Sequence, residues 1–173
     1  VSYQLESRLG TRQEFADMVT RCGSAGVDII ADAVINHMTG QDAPGTGWVG
    51  SAYEHYEYPG LYTDTDFHHC GLIGNDDIAD YDSAAQVQSC ELVNLADLDT
   101  ASPSVRETID AYLDDLLSLG VAGFRIDAAK HMASDDVAAI ASALPQGTRI
   151  MSEVIRGPLE PIQPDDYVPW RRR

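Results

Sequence analysis

The chain has 173 residues, 44% of them hydrophobic, and 28 acidic against 11 basic side chains give a formal net charge of −17. This length and composition are typical of one globular domain and do not indicate disorder. The negative charge argues against nucleic acid or an anionic membrane as a partner, because phosphate binding needs a basic face; a neutral ligand or a cation fits better. No apolar run reaches the length of a membrane-spanning helix, and no signal-peptide pattern is present.

The first predicted elements are a helix and a strand. In residues 12–22 apolar side chains recur at i, i+3, i+4 and i+7, and glycines follow, which predicts a helix. The run "VDIIADAVI", 27–35, is rich in β-branched residues and predicts a buried strand. From residue 36 to 99 periodicity disappears. Because such a stretch is too long for a simple connection, we expect an inserted subdomain or a functional loop.

Regular elements return in the last part of the chain. An apolar stripe predicts a helix over 102–120, and "VAGFRID", 121–127, predicts a short strand. Ser134 is expected to cap a further helix, and "TRIMSEVI", 148–155, predicts a third strand. This order of helices and strands is typical of an α/β fold with a parallel sheet.

Polar residues gather at the carboxyl ends of the three predicted strands, where parallel α/β folds carry their chemistry. They are Asp32, Asn36 and His37 on the first strand, Arg125 and Asp127 on the second, and Glu153 on the third. Since side chains alternate across a strand, Arg125 and Asp127 point the same way, and the arginine keeps the aspartate ionised, which suits a nucleophile. Glu153 lies in a more apolar run that favours a protonated carboxyl, which suits a proton donor.

Two carboxyls in opposed surroundings are what glycoside hydrolysis requires, and a separation of about 5 to 5.5 Å would mark the retaining route. A purely structural ion pair between Arg125 and Asp127, with Glu153 merely at a strand end, fits the same spacing. Spacing alone does not separate the two interpretations.

The long excursion at 36–99 carries other candidate ligands. "FHHC", 67–70, lacks the paired spacings of a zinc site, so we expect exposed loop histidines. The oxygens of Asn36, Asp97 and nearby backbone carbonyls suit a hard cation such as calcium. No EF-hand pattern is present, and composition alone favours a solvated acidic loop.

Three motifs in order resemble the first three signature regions of the α-amylase family of glycoside hydrolases. They are "DAVINH" at 32–37, "GFRIDAAKH" at 123–131 and "EVI" at 153–155, and the runs around them are similar to animal and actinobacterial secreted α-amylases. The resemblance implies a (β/α)8 TIM barrel of which the chain holds only the middle part. It also implies a secreted, monomeric enzyme that cleaves internal α-1,4-glucosidic bonds of starch and glycogen with retention.

The resemblance further divides the chain into two regions. It implies that residues 1–35 and 100–173 belong to the barrel and that 36–99 form an inserted calcium-binding subdomain. The implied calcium ligands are Asn36, Asp97 and the main-chain carbonyls of Gln88 and His131. It also implies a disulfide between Cys70 and Cys90. Cys22 matches a family cysteine whose partner lies in the region "GTGWVGSAY", which has no cysteine here, so the resemblance implies that Cys22 is a free, buried thiol.

The family's functional residues map onto individual positions of this chain. The match makes Asp127 the nucleophile and Glu153 the general acid/base, with Asp32 supporting the site from behind. Arg125 would hold the nucleophile and, with residues that have no counterpart here, would complete a chloride site. The implied sugar-binding residues are His37, Tyr81, Lys130 and His131.

The chain also departs from the family pattern. It has no counterpart of the family's third catalytic carboxylate or of the first two strands, it begins at Val1, and "PWRRR" at 169–173 has no predicted function. We therefore expect an internal fragment that is inactive by itself, since a TIM barrel takes about 250 residues. A sibling specificity, such as an α-glucosidase or transglycosylase, and a calcium- or glucan-binding remnant without turnover remain alternatives.

Overall fold

The centre of the fold is a three-stranded parallel sheet. A computed structural model of the chain describes residues 1–167, so "PWRRR" lies outside the described residues. The strands are β1 (Ile30–Ala33), β4 (Gly123–Ile126) and β5 (Arg149–Ser152), in the order β1-β4-β5. These are the three strands predicted from the sequence, each only four residues long. A short antiparallel pair, β2 (Gly45–Thr46) and β3 (Ala52–Tyr53), lies in the excursion.

The part of the chain that the structure describes contains four α-helices, and none of them has the length and apolar character needed to cross a bilayer. They are α1 (Arg12–Ser24), α2 (Ala84–Ser89), α3 (Pro103–Ser118) and α4 (Ser134–Ala143). The sequence predicted α1, α3 and α4. Helix α2 was not predicted, because six residues are too few to show helical periodicity.

The ends of the helices are set by local chemistry. Helix α1 begins with a capping box, in which the Thr11 hydroxyl accepts from the amide of Glu14 and the Glu14 carboxylate accepts from the amide of Thr11. The predicted cap of α4 is wrong. Ser134 is the first helical residue and Ala133 occupies the N-cap position without a side-chain bond, so the helix begins one residue earlier than a serine cap would allow.

The two faces of the sheet differ sharply. On one face, Phe124 and Ile126 are fully buried in a core that includes apolar residues of α3 and α4. On the other face, the strand register aligns Asp32, Arg125 and Met151 in one row, and Met151 is 51% exposed. The sheet in residues 1–167 is therefore covered on one side and open on the other, as expected of an incomplete barrel.

The excursion shares its core with the sheet. Its buried side chains, which include Tyr58, Phe67 and Leu98, belong to the same hydrophobic cluster as the core of α3 and α4. The predicted disulfide between Cys70 and Cys90 is present. Cys22 is free, as predicted, but it is only half-buried and not fully buried, because it lies near the exposed end of α1.

Candidate active site

A single arginine gathers three carboxylates at the carboxyl edge of the sheet. Arg125 donates from Nη1 to Asp32 Oδ1 at 2.6 Å and to Asp127, and its Nη2 lies 2.6 Å from Glu153 Oε1. The bonds to Asp32 and then to Asp127 raise the pKa of Arg125, so the guanidinium stays charged. Asp127 and Glu153 are thus held side by side by the two terminal nitrogens of one guanidinium group.

The strand ladder explains why these two acids meet. The Asp127 amide donates to Ala33 O at 3.0 Å, and the Glu153 amide donates to Ile126 O at 3.0 Å, so both residues continue the parallel pairing one step past the strands. Ala128 then turns sharply with a left-handed φ of 49°, and its amide donates to Glu153 Oε2 at 3.0 Å. The backbone after β4 therefore helps to orient the Glu153 carboxylate.

The surroundings of Glu153 differ from the sequence-based expectation. Its side chain is about one-third exposed, and it shares Arg125 with Asp127 instead of lying among apolar groups. The apolar letters around it in the sequence belong to a strand whose side chains alternate between two faces, so neighbours in sequence do not surround it in space. The sequence predicted apolar surroundings for the Glu153 carboxyl and a charged neighbour for the Asp127 carboxyl. In residues 1–167 both carboxyls instead lie against the same arginine, Arg125.

Three of the four predicted sugar-binding residues, Tyr81, Lys130 and His131, form one wall beside Glu153. The His131 Nδ1 lies 3.0 Å from Val87 O, to which it can donate, and its ring meets Tyr81 edge-on at 6.2 Å. Lys130 Nζ lies 5.6 Å from the centre of the Tyr81 ring. Burial lowers the pKa of both His131 and His37, while the charge of Asp127 opposes that shift. Neutral imidazoles at these positions can exchange hydrogen bonds with hydroxyl groups.

Lys130 has its own internal partners. It is only 5% exposed, and its ammonium donates to Ile155 O at 2.9 Å and to the Glu160 carboxylate. A lysine has three donors, and these two bonds direct two of them at the segment after β5. A sugar hydroxyl that binds the Lys130 ammonium would therefore do so alongside these two bonds to the protein.

A pocket of about 380 Å³ opens next to Glu153. Its lining combines four predicted site residues with others that sequence reasoning missed: Tyr81, Leu92, Ala128, Lys130, His131, Glu153, Ile155, Arg156, Gly157 and Glu160. Most of the missed residues lie at 155–160, directly after β5. Because loops at the carboxyl ends of parallel strands carry function, the position of that segment was an available signal. Asp127, Arg125 and His37 lie outside the lining.

Two of the predicted calcium ligands lie together. Asn36 and Asp97 are 1% and 2% exposed, and Asn36 Nδ2 donates to Asp97 Oδ1 at 3.2 Å. The backbone brings them close, since the Leu98 amide donates to Asn36 O at 2.9 Å. Burial raises the pKa of Asp97 to about 6, while a 2.7 Å bond from His68 acts in the opposite direction. His68 is therefore half-buried and hydrogen-bonded, which corrects the expectation of an exposed loop histidine, whereas His69 is exposed as expected.

The other two predicted ligands lie where α2 meets the turn after β4. Gln88 Nε2 donates to Met132 O at 3.3 Å, next to His131. Within residues 1–167 no three His, Cys, Asp or Glu side chains are grouped to hold a metal. The predicted set needs only one carboxylate, and its remaining donors are an amide and two carbonyls. Oxygen donors of this kind fit calcium.

Comparison with known proteins gives concordant matches. Residues 2–153 match the family model described as alpha amylase, catalytic domain. The chain is 52% identical to an α-amylase of Thermomonospora curvata over 147 residues, which cover 83% of the chain and 24% of that protein. It is 46% identical to an α-amylase of Streptomyces violaceus over 169 residues, which cover 97% of the chain and 29% of that protein.

Solved structures agree. A mutant α-amylase I from Eisenia fetida, in complex with maltohexaose, matches with a TM-score of 0.92 at 35% identity and covers 96% of this chain and 36% of that one. A cyclomaltodextrin glucanotransferase matches with a TM-score of 0.68 at 25% identity, covering 88% and 32%. The chain thus spans roughly a quarter to a third of the length of these proteins. With a family match across residues 2–153, the chain belongs to the alpha-amylase catalytic domain family, and its sheet is part of a TIM barrel.

Proposed function

We propose that this chain carries part of the active site of a retaining α-amylase, which hydrolyses internal α-1,4-glucosidic bonds in starch, glycogen and related glucans. The observation that carries the proposal is the placement of Asp127 and Glu153 on adjacent nitrogens of Arg125, at the carboxyl edge of a parallel sheet. The names of the relatives support the same activity.

In the proposed reaction, Glu153 donates a proton to the glycosidic oxygen while the Asp127 carboxylate attacks the anomeric carbon. The leaving sugar departs as an alcohol, and an ester joins Asp127 to the remaining glycosyl group. Glu153, now ionised, takes a proton from water, which attacks the anomeric carbon and releases Asp127. Arg125 keeps Asp127 ionised for the first step, and the bond from the Ala128 amide orients Glu153.

An α-glucan is the substrate that the wall beside Glu153 fits best. The pocket offers an aromatic ring at Tyr81 together with donors and acceptors from His131 and Lys130. Sugar rings combine apolar faces with hydroxyl edges, so an aromatic surface beside polar groups is complementary to them. We place His37 and Arg125 at the same site, on the side of Asp127.

We also propose that residues 36–99 form a calcium-binding subdomain, with Asn36, Asp97 and the carbonyls of Gln88 and His131 as ligands. Bound calcium would supply positive charge beside the buried Asp97 carboxylate, whose ionised form is otherwise disfavoured by burial. Nη1 and Nη2 of Arg125 both face carboxylates, so we leave chloride outside the proposal. The disulfide is compatible with a secreted enzyme, since such bonds persist in oxidising compartments.

The decisive experiment measures starch hydrolysis by the protein at its full encoded length. Asp127→Asn and Glu153→Gln should each lower kcat by about a thousandfold or more, because each removes a group that acts in the transition state. Asp135→Asn, which changes an exposed acid on α4, is the matched control and should keep wild-type activity. Near-normal turnover by either site variant would exclude the assignment. Proton NMR of the first product should show the α anomer, and an initial β anomer would exclude retention.

Two alternatives are tested by related measurements. The similarity to a cyclomaltodextrin glucanotransferase favours a transferase as the second candidate, and cyclic products on chromatography would identify it. We further propose that the 173-residue chain alone has no turnover, because its three-stranded sheet leaves the face of Arg125 open. Starch hydrolysis by the isolated chain that disappears in Asp127→Asn would contradict this.

A further inference from the structure

Tyr167 joins three separate parts of the chain through one hydroxyl group. It belongs to the 3₁₀ helix Pro164–Tyr167, which follows β5, and its side chain is buried. The hydroxyl lies 2.7 Å from Met132 O and 3.2 Å from Lys130 O, and it accepts from Gln88 Nε2 at 3.3 Å. These partners lie on the turn after β4 and on α2. The hydroxyl is therefore the point where both of them meet the segment after β5.

The polar groups around this hydroxyl satisfy one another. A tyrosine hydroxyl has one proton to donate, and it can accept as well. The proton goes mainly to Met132 O, the nearer carbonyl, and Gln88 Nε2 also donates to Met132 O at 3.3 Å. Burial raises the pKa of Tyr167 to about 12, so the hydroxyl keeps its proton at neutral pH. Two donors thus hold the same carbonyl of the turn.

The carbonyls that Tyr167 contacts lie on either side of His131. One belongs to Lys130 and the other to Met132, while His131 itself lines the pocket beside Glu153. Because each carbonyl is part of a rigid peptide plane, holding both of them restricts the backbone before and after His131. Tyr167 therefore restrains the direction in which the imidazole leaves the backbone.

The segment after β5 also holds Lys130 at both ends of the residue. Its ammonium donates to Ile155 O at 2.9 Å and to the Glu160 carboxylate, while its carbonyl faces the Tyr167 hydroxyl. The Lys130 amide donates to Glu153 O at 3.2 Å. The turn is thus fixed against the same segment that begins at the proposed acid/base.

We propose that Tyr167 is a positioning residue, which sets the direction of the His131 ring toward a sugar bound beside Glu153. This rests on the α-glucan function proposed above. Tyr167 makes no contact with the sugar and acts through the turn after β4. Without its hydroxyl the turn would have more freedom in the unbound protein, and substrate binding would have to order it.

The test replaces Tyr167 by Phe in the protein at its full encoded length, which removes the hydroxyl and keeps the buried ring. Tyr58→Phe is the matched control. Tyr58 is also buried, and its hydroxyl donates to His55 O at 3.0 Å and accepts from the Thr39 amide at 3.1 Å. It does not line the pocket, so its hydroxyl can be removed without touching the proposed site.

A second pair of variants shows whether Tyr167 acts through His131. His131→Asn removes most of the imidazole and keeps a side-chain donor for Val87 O, and Tyr167→Phe is then added to it. Two changes that act through the same contact are not additive, whereas changes at independent sites are. For every variant, kcat and KM for maltoheptaose are measured together with the melting temperature.

We expect Tyr167→Phe to raise KM for maltoheptaose about three- to tenfold with kcat within about twofold, because a less ordered turn weakens ground-state and transition-state binding alike. Both Phe variants should lower the melting temperature by a few degrees, since each loses buried hydrogen bonds, but KM for Tyr58→Phe should stay at the wild-type level. In the His131→Asn background, Tyr167→Phe should raise KM by less than about twofold.

Three results would overturn the inference alone. They are an unchanged KM for Tyr167→Phe, an equal rise for Tyr58→Phe, which would mean a loss of stability only, and a full rise in the His131→Asn background, which would mean that Tyr167 does not act through His131. A wild-type protein that neither binds nor hydrolyses maltoheptaose overturns the proposed function and this inference with it.

Discussion

The disulfide between Cys70 and Cys90 offers a quantitative test of how the excursion supports the pocket. It closes a loop of 20 residues that contains Tyr81 and all of α2. The same region contributes the Val87 carbonyl that accepts from His131. Breaking the bond should therefore lower the free energy of unfolding and loosen one wall of the pocket.

The expected magnitude follows from the length of the loop. For 20 residues, the chain-entropy relation gives a stabilisation of about 3.3 kcal/mol at 25 °C. Reduction of the wild type should remove this amount without removing atoms. Cys70→Ala/Cys90→Ala should lose about 1 kcal/mol more, since Cys90 is buried and its sulfur leaves a cavity.

Urea denaturation followed by circular dichroism, with and without dithiothreitol, measures these differences. The reductant should have no effect on the double variant and its full effect on Cys22→Ala, in which only the free thiol is replaced. Affinity for maltoheptaose should fall in parallel for the reduced wild type and the double variant. A loss below about 1 kcal/mol on reduction would refute the loop-entropy reasoning. An unchanged affinity would refute the link between the excursion and the pocket.

Three further experiments test the site, the sheet and the metal. Arg125→Leu should lower kcat for starch at least a hundredfold, because the acids lose the donor that orients them, while Arg125→Lys should recover only part of this. Gly123→Ala should cost several kcal/mol in urea denaturation, roughly as for other overpacked positions, since its Cβ would lie 2.2 Å from Arg149 O; Gly23→Ala, in the open face of α1, should be neutral or stabilising. Chelation of calcium should lower the melting temperature, and Asp97→Asn should abolish that response.

The sequence predicted the regular elements of the sheet well, because their signals are local. The apolar stripe of α3 predicted its buried side, and the structure buries that side. The β-branched run before Asn36 forms a strand as predicted, but it is only partly buried, with Val27 53% and Val34 40% exposed. Alternation along β4 predicted that Arg125 and Asp127 share a face, and they do. The disulfide followed from family resemblance and is present.

Features that depend on distant contacts were not predictable in this way. Glu153 has apolar neighbours in sequence but an arginine from another strand in space. His68 was expected to be exposed, yet a carboxylate 29 residues away binds it. The role of Glu160 as a partner of Lys130 depends on a fold-back that brings the Glu160 carboxylate against Gly157, and no local pattern marks such a turn as part of a pocket.

The charge balance around Arg125 favours the catalytic interpretation over a structural ion pair. A structural pair would match one guanidinium with one carboxylate, yet Asp32, Asp127 and Glu153 all face it, on the uncovered side of the sheet. Three carboxylates against one cation leave an excess of negative charge in one place, and like charges at such distances repel one another. Clusters of ionisable groups of this kind are concentrated at functional sites. The catalytic interpretation explains this excess of negative charge, because it requires one of these acids to give a proton to the substrate and another to attack it.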